Sequence, residues 1–193
     1  MARITDQNRV ERLKESTMKL VVEKGFGGAS AALIAKDAKV AAGYFYLHYH
    51  GKYEMVNSLL HSVYQEFVDR LEELILQAST FEVITKKLIN HFFNMAINEP
   101  VKLKFLYVLT NDYSFVIDPE VKKKTFQFIT RLKEVGQLSE TLDKNITDED
   151  LYLFLVINTI QFINQRFKNS LDKVSFNEAD EEHLYYLIQK ILK

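Results

Sequence analysis

The sequence predicts an all-α protein, with an N-terminal three-helix helix-turn-helix head, a larger helical body and about nine helices in all. Three observations predict it. Six glycines and two prolines punctuate 193 residues, too few for a fold built on many tight turns. Apolar residues recur at helical spacing, and no segment alternates with the period of two that a half-buried strand needs. The early segments are short and alanine-rich, whereas the later ones are long and carry phenylalanine, leucine and isoleucine.

In chain order, Arg9 to Lys24 reads as an amphipathic helix with Leu13, Leu20 and Val21 on one face and Met18 near its edge. Gly25 stops it, and Phe26 is placed to fold back as an apolar plug. Ser30 is the expected N-cap of a short helix over Ala31–Ala38, with Ile34, Ala35 and Ala38 inward. A turn over Lys39–Ala41 leads to a third short helix, Ala42–Tyr49. Small side chains let two short, steeply crossing helices approach closely.

Lys52 to Leu76 reads as one long helix with Leu59, Leu60, Val63, Phe67, Leu71, Leu74 and Ile75 on its apolar stripe. Ser79 or Thr80 caps the next, Val83–Ile97, which bears Leu88, Phe92 and Phe93. Val101–Thr110 is a shorter apolar helix, followed by the loop "NDYSFVIDPE". Asp118-Pro119-Glu120 is a helix start, with an acidic cap, proline at the first helical position and glutamate in the first turn. That helix carries Phe126, Phe128, Ile129 and Leu132 to about Val135, with Gly136 near its end. Thr147 and Asp150 form a capping-box pattern ahead of Leu151–Phe167, which is apolar on more than one side. "NEADEEHLYYLIQKILK" supplies the last helix.

The bulk numbers exclude several functions. Without cysteine there are no disulfides, no thiolate chemistry and no cysteine-ligated metal. "MARITDQNRVERLKEST" has no apolar core of a signal peptide, and the longest apolar run, near "LYLFLVI", is short of a membrane span. The expectation is a cytoplasmic protein with no membrane partner. The net charge of −1 hides an asymmetry: residues 1–60 hold nine basic and six acidic side chains, the remainder sixteen and twenty. A mildly basic head on an acidic body fits a nucleic-acid-binding module joined to a different second domain.

"VAAGYFYLHYHGKYEM", Val40 to Met55, concentrates aromatic residues and two histidines. His48 and His50 stand about 200° apart around a helix, poor geometry for one metal. No metal or cofactor is expected. Phe45, Tyr46 and Tyr49 read as packing residues, with Tyr46 mostly core.

With these residues in view, the N-terminal pattern resembles the TetR family of bacterial transcriptional repressors. Gly25 and Phe26 match the family's glycine–aromatic helix end, Ser30 its cap, and Ile34, Ala35 and Ala38 its second helix. Val40 matches the turn valine, Gly43, Tyr46 and Lys52 match the following segment, and Tyr49 stands where the family usually has phenylalanine. The departures are Lys39 for glycine, Ala41 for serine, Ala42 at a frequently polar position and Met55 for leucine. The match covers roughly residues 9–56.

The resemblance implies a DNA-binding domain over 1–50 and a helical effector-binding and dimerisation domain over 51–193. It makes Ala31–Ala38 the supporting helix and Ala42–Tyr49 the recognition helix. Lys39, Ala42, Gly43, Tyr44, His48, His50 and Lys52 are then the expected DNA-contacting residues, the lysines on phosphates and Tyr44 on a phosphate or a thymine methyl. The partner is a double-stranded DNA operator.

Similar repressors bind a small molecule in the larger domain. The expected effector residues are His91, Phe92, Asn94, Phe105, Tyr113, Phe126, Asn158, Gln161 and Gln165, for an apolar or aromatic molecule. A homodimer is expected through the last two helices, by Phe154, Ile157, Ile163, Leu184, Leu187 and Ile191. No catalytic motif is present: "GFGGAS" follows a helix, not a strand, so it lacks the context of a phosphate-binding loop. The chain is therefore not expected to be an enzyme. A helical adaptor without specific DNA binding is the alternative.

Overall fold

The computed structural model describes residues 2–77, 79–169 and 176–193; the side chains of residues 2–5, 66, 67, 70 and 169 fall outside the description, so the expected place of Phe67 on its stripe does too. The described residues are all-α. In order they form α1 (Ala2–Gly28), α2 (Ala31–Asp37), α3 (Ala42–His48), α4 (Lys52–Leu76), α5 (Phe81–Asn98), α6 (Pro100–Asn111) and α7 (Pro119–Leu138). Then come α8 (Asp148–Tyr152), a π-helical turn (Leu153–Ile157), α9 (Asn158–Asn169) and α10 (Glu178–Leu192). Among the described residues no helix is long and apolar enough to cross a membrane.

Packing divides the chain into two compact units: residues 1–63 with 104–118, and residues 64–103 with 119–193. These limits differ from the 1–50 and 51–193 division read from the sequence, because the first unit also takes the start of α4 and the 104–118 segment.

In the first unit, α1 buries Leu13, Leu20 and Val21. Its helix breaks at Gly25, whose φ of 72° is open to glycine and costly for any L-residue. The chain then turns Phe26 inward against Phe115, with ring centroids 4.9 Å apart. Ser30 caps α2 by accepting a hydrogen bond from the Leu33 N–H, a contact worth about 1 kcal/mol. Ile34, Ala35 and Ala38 are buried, as their spacing predicts. Met55 and Val56 at the start of α4 join this core.

The second unit is organised on α5, which packs against α7, the π turn, α9 and α10. Thr80 caps α5, which starts at Phe81, two residues earlier than the expected start at Val83. Gly136 lies near the end of α7, as expected, but in its last turn: a Cβ there would stand 2.8 Å from the Phe81 ring and 2.9 Å from Leu142 Cβ. The α7 stop is instead Glu140, held at φ 55°. Its N–H donates to Gln137 O and that of Thr141 to Gly136 O, the paired bonds of a Schellman turn.

The expected uninterrupted helix over Leu151–Phe167 is three pieces. Thr147 and Asp150 form the predicted capping box, and the π turn follows. Adding one residue to the turn brings Leu151 and Val156, five apart, into the core together with Leu155, Ile160 and Ile163. An apolar sequence spread over several faces is thereby buried on fewer.

Candidate nucleic-acid interface

The turn before α3 explains the Lys39 departure. The N–H of Lys39 donates to Lys36 O and that of Val40 to Ala35 O, closing α2 with a Schellman turn. Lys39 occupies its left-handed position, φ 55°, where glycine would carry no Cβ strain. The lysine thus accepts about 1 kcal/mol of local strain in return for an exposed cation at the turn. Ala41 leads into α3 without a side-chain cap, as its replacement of serine implies.

α3 is anchored by Phe45, which is fully buried and packs on Tyr49 with ring centroids 5.8 Å apart. The opposite side carries Ala42, Gly43, Tyr46, Leu47 and His48, all exposed. Tyr46 is 60% exposed and Leu47 78%, so the expectation that Tyr46 is mostly core is corrected. Tyr46 lies next to Phe45, about 100° round the helix, and so turns away from the core that takes Phe45. An added Cβ on Gly43 would meet nothing, leaving the backbone open to close approach.

Three expected DNA-contacting groups are engaged within the chain. The Tyr44 hydroxyl donates to Asp6 Oδ1 at 2.5 Å, and Arg9 lies 5.6 Å from its ring centroid. Burial and then the Asp6 bond raise its phenol above the usual value. The Lys52 ammonium donates to Phe26 O at 2.5 Å and sits 4.2 Å from the Phe26 ring centroid. Burial lowers its pKa from the ordinary lysine value, with Asp112 opposing. His50 places Nδ1 2.8 Å from Glu54 Oε2, while its backbone N–H donates to the same oxygen at 2.6 Å. Lys36 and Lys39 are exposed, and Lys19 pairs with Asp37 at 2.7 Å, joining α1 to α2. Sequence reasoning missed Tyr46 and Leu47 as surface groups; their polarity gave no signal, and only the burial of Phe45 orients the helix.

The expected effector residues are distributed over both units. Phe105 is buried and Tyr113 fully exposed in the first unit, while the others belong to the second. There Phe92 is core, Asn94 and Gln165 are exposed, and His91, Phe126, Asn158 and Gln161 are half-buried. Asn94 donates to Asn90 Oδ1 at 2.7 Å, a bond within α5. Phe126 stacks at 5.4 Å on Tyr152, whose hydroxyl lies 3.4 Å from that of Tyr64. Burial pushes both phenols above their usual value, Tyr64 well above it. The two tyrosines were absent from the sequence reading, since nothing local marks them. A cleft of about 210 Å³ between α5 and α10 is lined by Lys86, Asn90, Glu178, Glu181, Glu182 and Tyr185, among others, and by none of the expected effector residues.

The expected dimer residues also divide. Ile163 and Leu184 are core residues of this chain, because α9 and α10 each turn one face onto α5. Leu187 and Ile191 are exposed, and Phe154 and Ile157 half-buried.

A capped α2, a tight turn and an exposed α3 packed on α2 form a helix-turn-helix arrangement. Residues 14–59 match the model of the bacterial regulatory proteins of the tetR family. The whole chain is similar in fold to a TetR family transcription regulator from Marinobacter aquaeolei, with a TM-score of 0.76, 16% identity, and 100% and 98% of the two chains covered. It is similar to the fatty acid degradation regulator FadR from Bacillus halodurans, with a TM-score of 0.73, 19% identity and 93% of each chain covered. It also resembles FadR from Bacillus subtilis in complex with stearoyl-CoA, with a TM-score of 0.66, 18% identity, and 94% and 96% covered. No curated protein matches the chain in sequence.

Proposed function

We propose that the protein is a ligand-responsive repressor that binds operator DNA as a homodimer and releases it when a small apolar effector binds. The exposed α3, held on α2 by the Lys39 turn within the family-matched segment, carries this reading. In it, residues 1–50 bind DNA and 51–193 bind effector and partner. α3 enters the major groove, with Lys36 and Lys39 placed for backbone phosphates and His48 for a base or phosphate. Tyr44 and Lys52 act indirectly, by holding the fold of the head.

The half-buried Phe126, with Tyr152 and Tyr64 beside it, supports an aromatic effector wall with a hydroxyl pair for orientation. The likeness to FadR proteins, one bound to stearoyl-CoA, supports an apolar effector class. The exposed Leu187 and Ile191 on α10 support a second copy as partner. A mobility-shift titration with the chain's own promoter DNA at rising salt tests the reading, with a following screen of apolar acids and acyl thioesters for release. Sequence-specific binding that weakens with salt is expected; no binding at low salt would leave a helical adaptor instead.

A further inference from the structure

Resting on that DNA-binding reading, we propose that α3 reads its operator through thymine methyl groups, by Leu47 and Tyr46, in place of the paired hydrogen bonds that most recognition helices make to bases. The side chains that bind base edges bidentately are arginine, lysine, asparagine, glutamine and the acids. The α3 sequence, "AGYFYLH", has none of them. What it offers instead is one face built of Ala42, Gly43, Tyr46 and Leu47, spaced three and four apart, with the fully buried Phe45 fixing which way that face points. Leu47 at 78% exposure and Tyr46 at 60% stand side by side on that face, where an apolar group of a partner can cover them.

The occupant is argued from charge. The acids that flank the helix are engaged: Asp6 with the Tyr44 hydroxyl, Asp37 with Lys19, and Glu54 with His50. Lys36 and Lys39 stand exposed just ahead of the helix. A polyanion with apolar groups displayed in a groove complements that arrangement, and the thymine C5-methyl is the only apolar group on a base edge in the major groove. Gly43 and Ala42 leave room for close approach, which short methyl contacts need. The operator half-site is therefore expected to hold adjacent thymines where α3 docks.

The experiment begins with selection of duplexes from a random pool by the full-length protein. The selected half-site is then synthesised with deoxyuridine replacing thymine, one position at a time. This removes a methyl and keeps every hydrogen-bonding group. Wild-type affinity should fall about fourfold for each methyl read, the transfer value of one buried carbon. In Leu47→Ala or Tyr46→Ala the thymine-to-uracil ratio at one of those positions should approach one; both residues are exposed, so circular dichroism should be unchanged. Equal affinity for thymine and uracil duplexes, with sequence-specific binding intact, overturns the methyl reading and leaves DNA binding standing. Failure to select any sequence overturns both.

Discussion

The Asp112 carboxylate accepts a hydrogen bond at 2.9 Å from the backbone N–H of Phe26, the first residue after the Gly25 break. A side chain far along the sequence thus satisfies a donor that the interrupted helix α1 leaves open. Asp112 is itself held by the Ser114 hydroxyl at 2.6 Å and its N–H at 2.9 Å, and Lys52 occupies the Phe26 carbonyl. Both polar groups of Phe26 are therefore served from other elements of the same unit.

Asp112→Ala should lower the stability of the protein by about 1 kcal/mol in urea unfolding, the usual net value of a hydrogen bond to a charged group at a partly exposed site. The pH dependence has a definite sign. The Ser114 hydroxyl, then its N–H and that of Phe26, hold the Asp112 carboxyl below its ordinary value of 3.8. The stabilisation is complete above that value and is lost as pH falls through the depressed one. The wild-type advantage over Asp112→Asn should therefore shrink as pH falls below 3.8; an advantage unchanged by acidification would remove the charge from the account.

Lys39→Gly should relieve the left-handed strain and raise stability by about 1 kcal/mol. The same change removes an exposed cation, so the slope of log affinity for DNA against log salt should become shallower by about one. Lys39→Ala separates the effects: it keeps the strain and loses the charge. Equal thermal midpoints for the glycine and alanine variants would refute the strain argument.

Gly136→Ala should destabilise by about 1–3 kcal/mol even though alanine favours helix. The added methyl meets the Phe81 ring and Leu142 Cβ below 3 Å, and neither is the free end of a flexible chain. Phe81→Leu in the same protein should recover part of the loss in calorimetry, and an additive pair would show that the two sites do not touch.

Lys52→Ala should weaken the Phe26 turn, costing about 1–2 kcal/mol through the lost charged hydrogen bond. Its DNA salt slope should stay near wild type, measured by fluorescence anisotropy. A slope reduced by one, with unfolding unchanged, would return Lys52 to the phosphate-contacting group.

The paired change Leu187→Glu with Ile191→Glu should yield monomers by sedimentation, since both side chains are exposed at adjacent turns of α10. Ile163 and Leu184 are unsuitable for that test because replacing them would unfold the chain's own core.

Much of the fold was legible in the sequence because helix signals are local. Gly25, Ser30, Thr147 with Asp150, and Asp118-Pro119-Glu120 mark ends by backbone chemistry that needs no distant partner. The spacing of Leu13, Leu20 and Val21, or of Ile34, Ala35 and Ala38, likewise names a buried face without saying what covers it. The π turn left no such mark, because it depends on which side of an all-round apolar segment α5 covers. The site divides on the same line. Sequence alone placed a short, aromatic, polar-poor helix after a tight turn at Lys39. Tertiary structure decided which aromatics it spends: Phe45 in the core, Tyr44 on Asp6, Tyr46 and Leu47 outward. Helical periodicity determines which residues share a face, but the direction that face takes follows from long-range contacts, and those pairings leave no trace in spacing.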